Sequence, residues 1–371
     1  MSSYLVTGGA GFIGSNLTEL LLTDPDNTIT IVDDLSMGLR TNIPDSSRIT
    51  FYEHSITDHA FMSQLLMEGR FDYIVLLAAI ASVADSVERP YATHQVNQEA
   101  NLNIIETLRT QKIPYKKLFF ASSAAVYGDS PELPKKEDMA VKPLTQYAVD
   151  KFATERAVLN YGRLYDMPMV CTRFFNVYGP KQNPKSPYSG VLSIMMAALQ
   201  EDKPFTFFGD GEQTRDFIYV GDVVHAIRGL LETPSARDDV FNVANGKQTT
   251  LNQVAKELEK LTGKTLHATH KAPRLGDIRD SYAQTDKLDQ FDFMTHTPQV
   301  CGVGSVNNDR PGGEILAGYF CRVSAIYFCR REMLWVIHLL FPLSCQLIML
   351  RRTFLIPFSR YWNKALRIWN F

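Results

Sequence analysis

The sequence predicts an α/β protein, a doubly wound parallel sheet with a smaller α/β domain beside it. Two observations carry that expectation: apolar runs of strand length alternate with helix-period segments, and a glycine-rich turn joins the first run to the first such segment. The runs lie at 4–7, 28–32, 49–52, 73–77, 118–121 and 169–174, and the amphipathic segments between them at 12–22, 61–68, 91–109 and 146–164. Runs this continuously apolar suit strands covered on both faces, and right-handed crossovers then wind the sheet in both directions. Past Gly179 come Pro180, Pro184 and Pro187, followed by shorter elements: a helix near 191–199, strands near 205–208 and 240–243, and a helix at 251–261. The expected division is 1–174 for the sheet domain and 175–293 for the smaller one, with 217–245 returning to the first and 294–371 as a separate tail. The smaller domain would cap the carboxyl ends of the strands, where open α/β folds bind ligands.

Composition narrows the function. With 38 Lys+Arg against 40 Asp+Glu in 371 residues, no basic face is available to neutralise phosphates, so nucleic acid is not an expected partner. Averages hide a break, however. Nine Lys/Arg but only three Asp/Glu follow residue 300, so the net charge of −2 divides into +6 there and −8 before it. Four of the five cysteines (Cys301, Cys321, Cys329, Cys345) and all of the tryptophans (Trp335, Trp362, Trp369) lie in the same tail. Before it Cys171 stands alone, which excludes a disulfide framework there and points to a reducing, cytoplasmic setting. A strand-like Tyr4-Leu5-Val6-Thr7 at the very start leaves no room for a signal peptide.

The first turn reads Thr7-Gly8-Gly9-Ala10-Gly11-Phe12-Ile13-Gly14, so glycines recur at 8, 11 and 14 where a strand ends and a helix opens. Such a turn is tight, lets backbone approach a pyrophosphate and aims a helix N-terminus at the anion. The second strand ends in Asp33-Asp34, 19 residues after Gly14 for the first of them, where a carboxylate would accept ribose hydroxyls and repel a 2′-phosphate. A Rossmann-type dinucleotide site holding NAD is expected, with Arg40 as the only nearby feature that would suit NADP.

Tyr147-Ala148-Val149-Asp150-Lys151 places a phenol and an ammonium four residues apart on one helical face. Ser123 ends a strand run 24 residues before Tyr147. An ammonium beside a phenol favours the phenolate, and a cationic nicotinamide would add to the effect, bringing the pKa from about 10 toward working pH. Tyr147 then serves as a base for a substrate hydroxyl, assisted by Lys151 and Ser123.

These residues resemble the extended short-chain dehydrogenase/reductase superfamily, and within it the nucleotide-sugar 4-epimerases, from residue 4 to about 290. The resemblance implies a UDP-sugar substrate, bound NAD and a homodimer whose helix bundle would include Tyr161 and Tyr165. After the catalytic serine this chain reads Ala124-Ala125-Val126-Tyr127-Gly128, without the acids that the family's dehydratases and decarboxylases carry there. Arg173-Phe174-Phe175-Asn176-Val177-Tyr178-Gly179 matches the neutral-sugar epimerases at Asn176, whose role in them is to hold the diphosphate. By the same resemblance Arg215 and Arg274 would contact the diphosphate, Asp277 the uridine ribose, and Ser281 and Ser82 the hexose. Ser281 stands where bulk would exclude a C2 N-acetyl group, so its small side chain implies N-acetylhexoses alongside glucose and galactose. Gly8, Gly11, Phe12, Ile13, Gly14, Asp33, Asp34, Ile56, Leu77, Ala78, Ala79 and Asn97 would line the cofactor together with Tyr147 and Lys151.

Elsewhere plainer expectations hold. The eight histidines show no ligand spacing, His267 and His270 fall in a strand-like stretch, and no metal site is expected. Met195-Met196 reads as core. The tail carries 17 uncharged residues at 334–350, flanked by Arg330-Arg331 and Arg351-Arg352, at the lower edge for a membrane span. Three readings stand open for it: a shifted reading frame, a membrane-associating segment, or a divergent packed lobe. The expected function is NAD-dependent 4-epimerisation of a UDP-hexose through a 4-keto intermediate. Its alternatives are a dehydratase or reductase of the same superfamily, or a catalytically silent NAD-binding protein.

Overall fold

The computed structural model describes residues 1–182, 190–272, 278–291 and 293. In its first half β1 (Ser3–Thr7), α1 (Phe12–Leu22), β2 (Thr28–Asp33), β3 (Ile49–Glu53), α2 (His59–Glu68) and β4 (Tyr73–Leu76) follow one another. Then come α3 (Val83–Glu88), α4 (Pro90–His94), α5 (Ala100–Thr110), β5 (Lys117–Ser123), α6 (Gln146–Tyr165) and β6 (Met169–Phe174). The second half holds β7 (Asn176–Tyr178), α7 (Val191–Glu201), β8 (Phe205–Phe208), β9 (Thr214–Arg215), β10 (Phe217–Tyr219) and α8 (Val220–Glu232). It closes with β11 (Asp239–Val243), β12 (Thr249–Thr250), α9 (Leu251–Thr262), β13 (Ala268–Lys271) and α10 (Asp286–Asp289).

Seven strands form one sheet in the order β11-β6-β5-β4-β1-β2-β3, every pair parallel. The sheet thus runs outward in both directions from β1 and β4, and the crevice at their carboxyl ends is its switch point. Alternation along the strands sorts the core. In β5, Phe119 and Ala121 join α1 and α8 on one face, while Leu118 and Phe120 join α2, α5 and α6 on the other. Burying each large apolar side chain here contributes roughly 1.5–3 kcal/mol. A third cluster lies in the second half, where Met195, Met196 and Leu199 of α7 meet Phe205, Phe207 and Leu258. Three two-stranded pairs complete that half: β7 with β10, β9 with β12, and β8 with β13.

The expected helix over 91–109 forms as α4, a wide π turn at Gln95–Glu99 and α5 in unbroken succession. In the π turn the Asn97 side-chain amide accepts from the Ile80 N–H at 2.8 Å and donates to the Ile80 carbonyl at 3.0 Å, while its own carbonyl accepts from Thr154 and Asn101. After β4 the chain turns helical at Val83, where the Ser82 hydroxyl accepts from the Asp85 N–H at 2.9 Å and caps α3. Among the described residues no helix is long and apolar enough to cross a membrane. The 334–350 run, and with it every reading of the tail, lies outside the described residues.

Candidate active site

The glycine turn is shaped by close backbone packing. Gly8 has φ +75°, and a Cβ there would come within 2.7 Å of the Ala78 nitrogen; at Gly14 it would come within 2.3 Å of the Gly8 carbonyl oxygen. Only hydrogen fits at these two positions. At Gly11, which caps α1 with no side-chain bond, a Cβ would meet only the Gly8 carbonyl, at 3.2 Å. The first turn of α1 therefore offers backbone N–H groups that no side chain caps, and the turn itself carries no acidic residue. That donor set suits a dinucleotide pyrophosphate, with Phe12 and Ile13 in the turn.

Neighbouring segments fix the turn in place. The Thr7 hydroxyl accepts from Leu77 and Ala78 N–H at 3.2 and 3.3 Å, which ties the ends of β1 and β4 together. Asp33 is buried; its carboxylate accepts from Ala10 and Leu35 N–H, each at 2.9 Å, and burial raises its pKa against those bonds. Asp34 is exposed and holds Ser36. Leu77, Ala78 and Ala79 remain partly exposed at the crevice. Two expected cofactor residues turn inward instead. The Ile56 side chain is 3% exposed and packs in the core, and Asn97 is wholly buried with its amide engaged on Ile80. Asn97 holds the 77–80 segment in place through these bonds.

Ser123 ends β5, and its hydroxyl accepts from the Ala125 N–H at 3.2 Å. Tyr147 and Lys151 stand on successive turns of α6, which Thr145 caps. The Lys151 ammonium donates to the Ala121 carbonyl at 2.8 Å and lies 6.0 Å from the Tyr147 ring centre. Burial lowers its pKa to about 8, with the neighbouring Asp150 acting in the opposite sense. Desolvation raises the Tyr147 pKa and a hydrogen bond with Ser123 lowers it in part; the lowering expected at this phenol includes the charge of a bound nicotinamide.

Below this triplet lies an ion pair that the sequence reading missed. Glu155 is fully buried and takes two bonds from Arg173, at 2.7 and 3.0 Å, and a third from Ser122 at 2.7 Å. Burial on the stripe Ala148, Lys151, Glu155, Val158 and Leu159 was readable from helical spacing, and an acid on that stripe was the signal. Arg173 also lies over the Tyr127 ring at 4.8 Å, and Tyr127 donates to Asn242 at 2.6 Å, which joins β6 to β11 beneath the site.

On the other side of the crevice stand Asn176, Arg215 and Ser281, each partly exposed. The Asn176 N–H donates to the Asp216 carbonyl, and Arg215 donates to the carbonyls of Thr214 and Arg279. Asp216 is buried and accepts from Asn245, Gly246 and Ala283 N–H at 2.8 to 3.1 Å; its pKa is pushed up to about 6 by burial. Ser281 sits between Asp280, which accepts from the Thr214 hydroxyl, and Tyr282, whose carbonyl accepts from Lys135 N–H. Arg274 and Asp277 lie outside the described residues.

The model of the NAD dependent epimerase/dehydratase family matches residues 4–244. The chain belongs to that family. It is 32% identical to a putative UDP-glucose 4-epimerase of Methanocaldococcus jannaschii over 82% of this chain and 97% of that protein. To a UDP-glucose 4-epimerase of Mycolicibacterium smegmatis it is 36% identical, over 80% and 93%. Among solved structures it resembles a UDP-N-acetylglucosamine 4-epimerase from Methanobrevibacter ruminantium in complex with UDP-N-acetylmuramic acid, with TM-score 0.77, 33% identity and coverage of 82% and 96%. A Thermus thermophilus UDP-glucose 4-epimerase in complex with NAD aligns with TM-score 0.74 and 32% identity, over 81% and 96%. Family and relatives agree with the enzyme class expected from the motifs, an NAD-dependent nucleotide-sugar epimerase on an extended short-chain dehydrogenase/reductase fold.

Proposed function

We propose that this chain interconverts C4 epimers of UDP-hexoses, N-acetylglucosamine and N-acetylgalactosamine as well as glucose and galactose, with Tyr147, Lys151 and Ser123 as its catalytic residues. The observation that carries the reading is the triplet itself: a phenol bonded to a serine and a buried ammonium one turn along, beside a glycine turn fit for a dinucleotide. NAD held at the glycine turn would supply a reversible hydride acceptor for C4, so that inversion there needs no net redox change. Tyr147 takes the 4-hydroxyl proton as the carbonyl forms and returns it as the hydroxyl reforms. Ser123 holds the same oxygen. The Lys151 ammonium favours the phenolate while it stays charged, so turnover should fall as pH rises above about 8, the value to which burial lowers it.

Asn176, Arg215 and Arg274 would keep the diphosphate in place while the 4-keto sugar turns over, with Asp277 on the uridine ribose. An arginine fork suits phosphate because it donates two parallel bonds. Ser281 leaves room for an N-acetyl group. Ser82, buried and with its hydroxyl on the α3 cap, is the further residue expected to meet the hexose. A cytoplasmic setting accords with Cys171 being the lone cysteine before residue 300, and a homodimer accords with Tyr161 and Tyr165 lying together on α6. Incubation of the purified chain with UDP-N-acetylglucosamine, without added NADH, should give the galacto epimer by NMR. A dehydrated or reduced product would reassign the chain within its superfamily.

A further inference from the structure

Asp150 is the one acid beside the triplet that the mechanism leaves unused. It is fully buried on α6, and one of its oxygens accepts from Gln146 Nε2 at 2.7 Å and pairs with His94 Nδ1 of α4 at 2.9 Å. Its other oxygen has no hydrogen-bond partner among the described residues. A buried carboxylate with one bare oxygen is unfavourable unless its charge is balanced nearby. The next residue supplies a buried ammonium in the complementary situation. Lys151 is 3% exposed, is bonded to a single carbonyl, and has no ion pair within 4 Å among the described residues.

The other charges on elements packed against α6 are occupied or exposed. Asp85 of α3 is tied to Arg89 at 3.0 Å, and Glu155 is closed by Arg173 of β6. Glu88 and Glu99 reach solvent. Asp150 is accordingly the charge that acts on Lys151 against its burial.

We propose that Asp150 is the positioning counter-charge of Lys151, held by His94 and Gln146 between two helices so that a catalytic ammonium persists in a site otherwise closed to charge. Asp150 touches neither substrate nor cofactor in this role; it acts through the lysine. His94, whose side chain is 35% exposed, forms the outer end of the clasp. The inference rests on the assignment of Tyr147 and Lys151 made above.

The test reads the lysine directly and the reaction separately. In full-length protein labelled with carbon-13 at lysine Cε, the Lys151 resonance is identified by its loss in Lys151→Met and titrated by NMR. Asp150→Asn should move that titration down by about one pH unit. The alkaline limb of kcat/KM should move with it, kcat at the former optimum should fall by about tenfold, and KM should stay within about twofold. Should Asp150→Asn not fold, Asp150→Ser removes the same charge with a smaller side chain and should give the same shifts. A folded variant of either kind with the lysine titration unchanged overturns the proposal. Absence of any epimerisation by the unsubstituted protein would instead overturn the functional reading, while the lysine titration still decides the role of Asp150.

Discussion

The two sides of the crevice are made of different material. The side proposed for the cofactor is mostly backbone: glycines packed against carbonyls and nitrogens, the uncapped first turn of α1, and Thr7, Asp33 and Asn97 holding main-chain groups in place. The side proposed for the sugar consists of side chains borne on short segments, Asn176, Arg215 and Ser281, pinned to one another by Asp216 and Lys135. Backbone recognition is rigid and tolerates no added atom, whereas a wall of side chains can be retuned one residue at a time. The first therefore suits an invariant cofactor and the second a variable sugar.

Substitutions should separate the two. The largest effect belongs to the chemistry between them: Tyr147→Phe should reduce epimerisation by about 10²–10⁴ with NAD still bound, as seen in steady-state rates and cofactor content. Next comes the support beneath both sides. Glu155→Gln leaves Arg173 buried without its charge partner and should destabilise the fold by about 3–5 kcal/mol in denaturant titration. On the cofactor side, Gly14→Ala drives a methyl into the Gly8 carbonyl and should weaken NAD retention by about tenfold or more, with little change in circular dichroism. Ser281→Tyr, on the sugar side, should be the gentlest and the most selective: N-acetylhexose turnover is lost while UDP-glucose conversion survives. Equal loss of both activities would remove Ser281 as the gate and with it the contrast drawn here.

The same contrast explains what the sequence disclosed. Gly8, Gly11 and Gly14 recur at a three-residue spacing, and Gly8 and Gly14 answer a local steric demand, so the turn and its helix were legible in eight residues. Tyr147 and Lys151 were legible because helical spacing places them on one face. The clasp of Asn97 on Ile80 was not legible because it reaches across 17 residues, from the π turn of its helix to the segment after β4. Glu155 was missed because its partner lies on a strand 18 residues on, and local pattern records only that an acid faces the core. The desolvation that raises the Tyr147 pKa was not legible, because spacing shows which groups are close, not how completely water is excluded from them.

If hydrogen leaves C4 and returns to the same carbon, the purified chain given UDP-hexose deuterated at C4 in ordinary water should yield, by NMR, the C4 epimer with its deuterium retained at C4, and no NADH should accumulate in solution. Epimer that has exchanged its deuterium for solvent hydrogen would contradict that return.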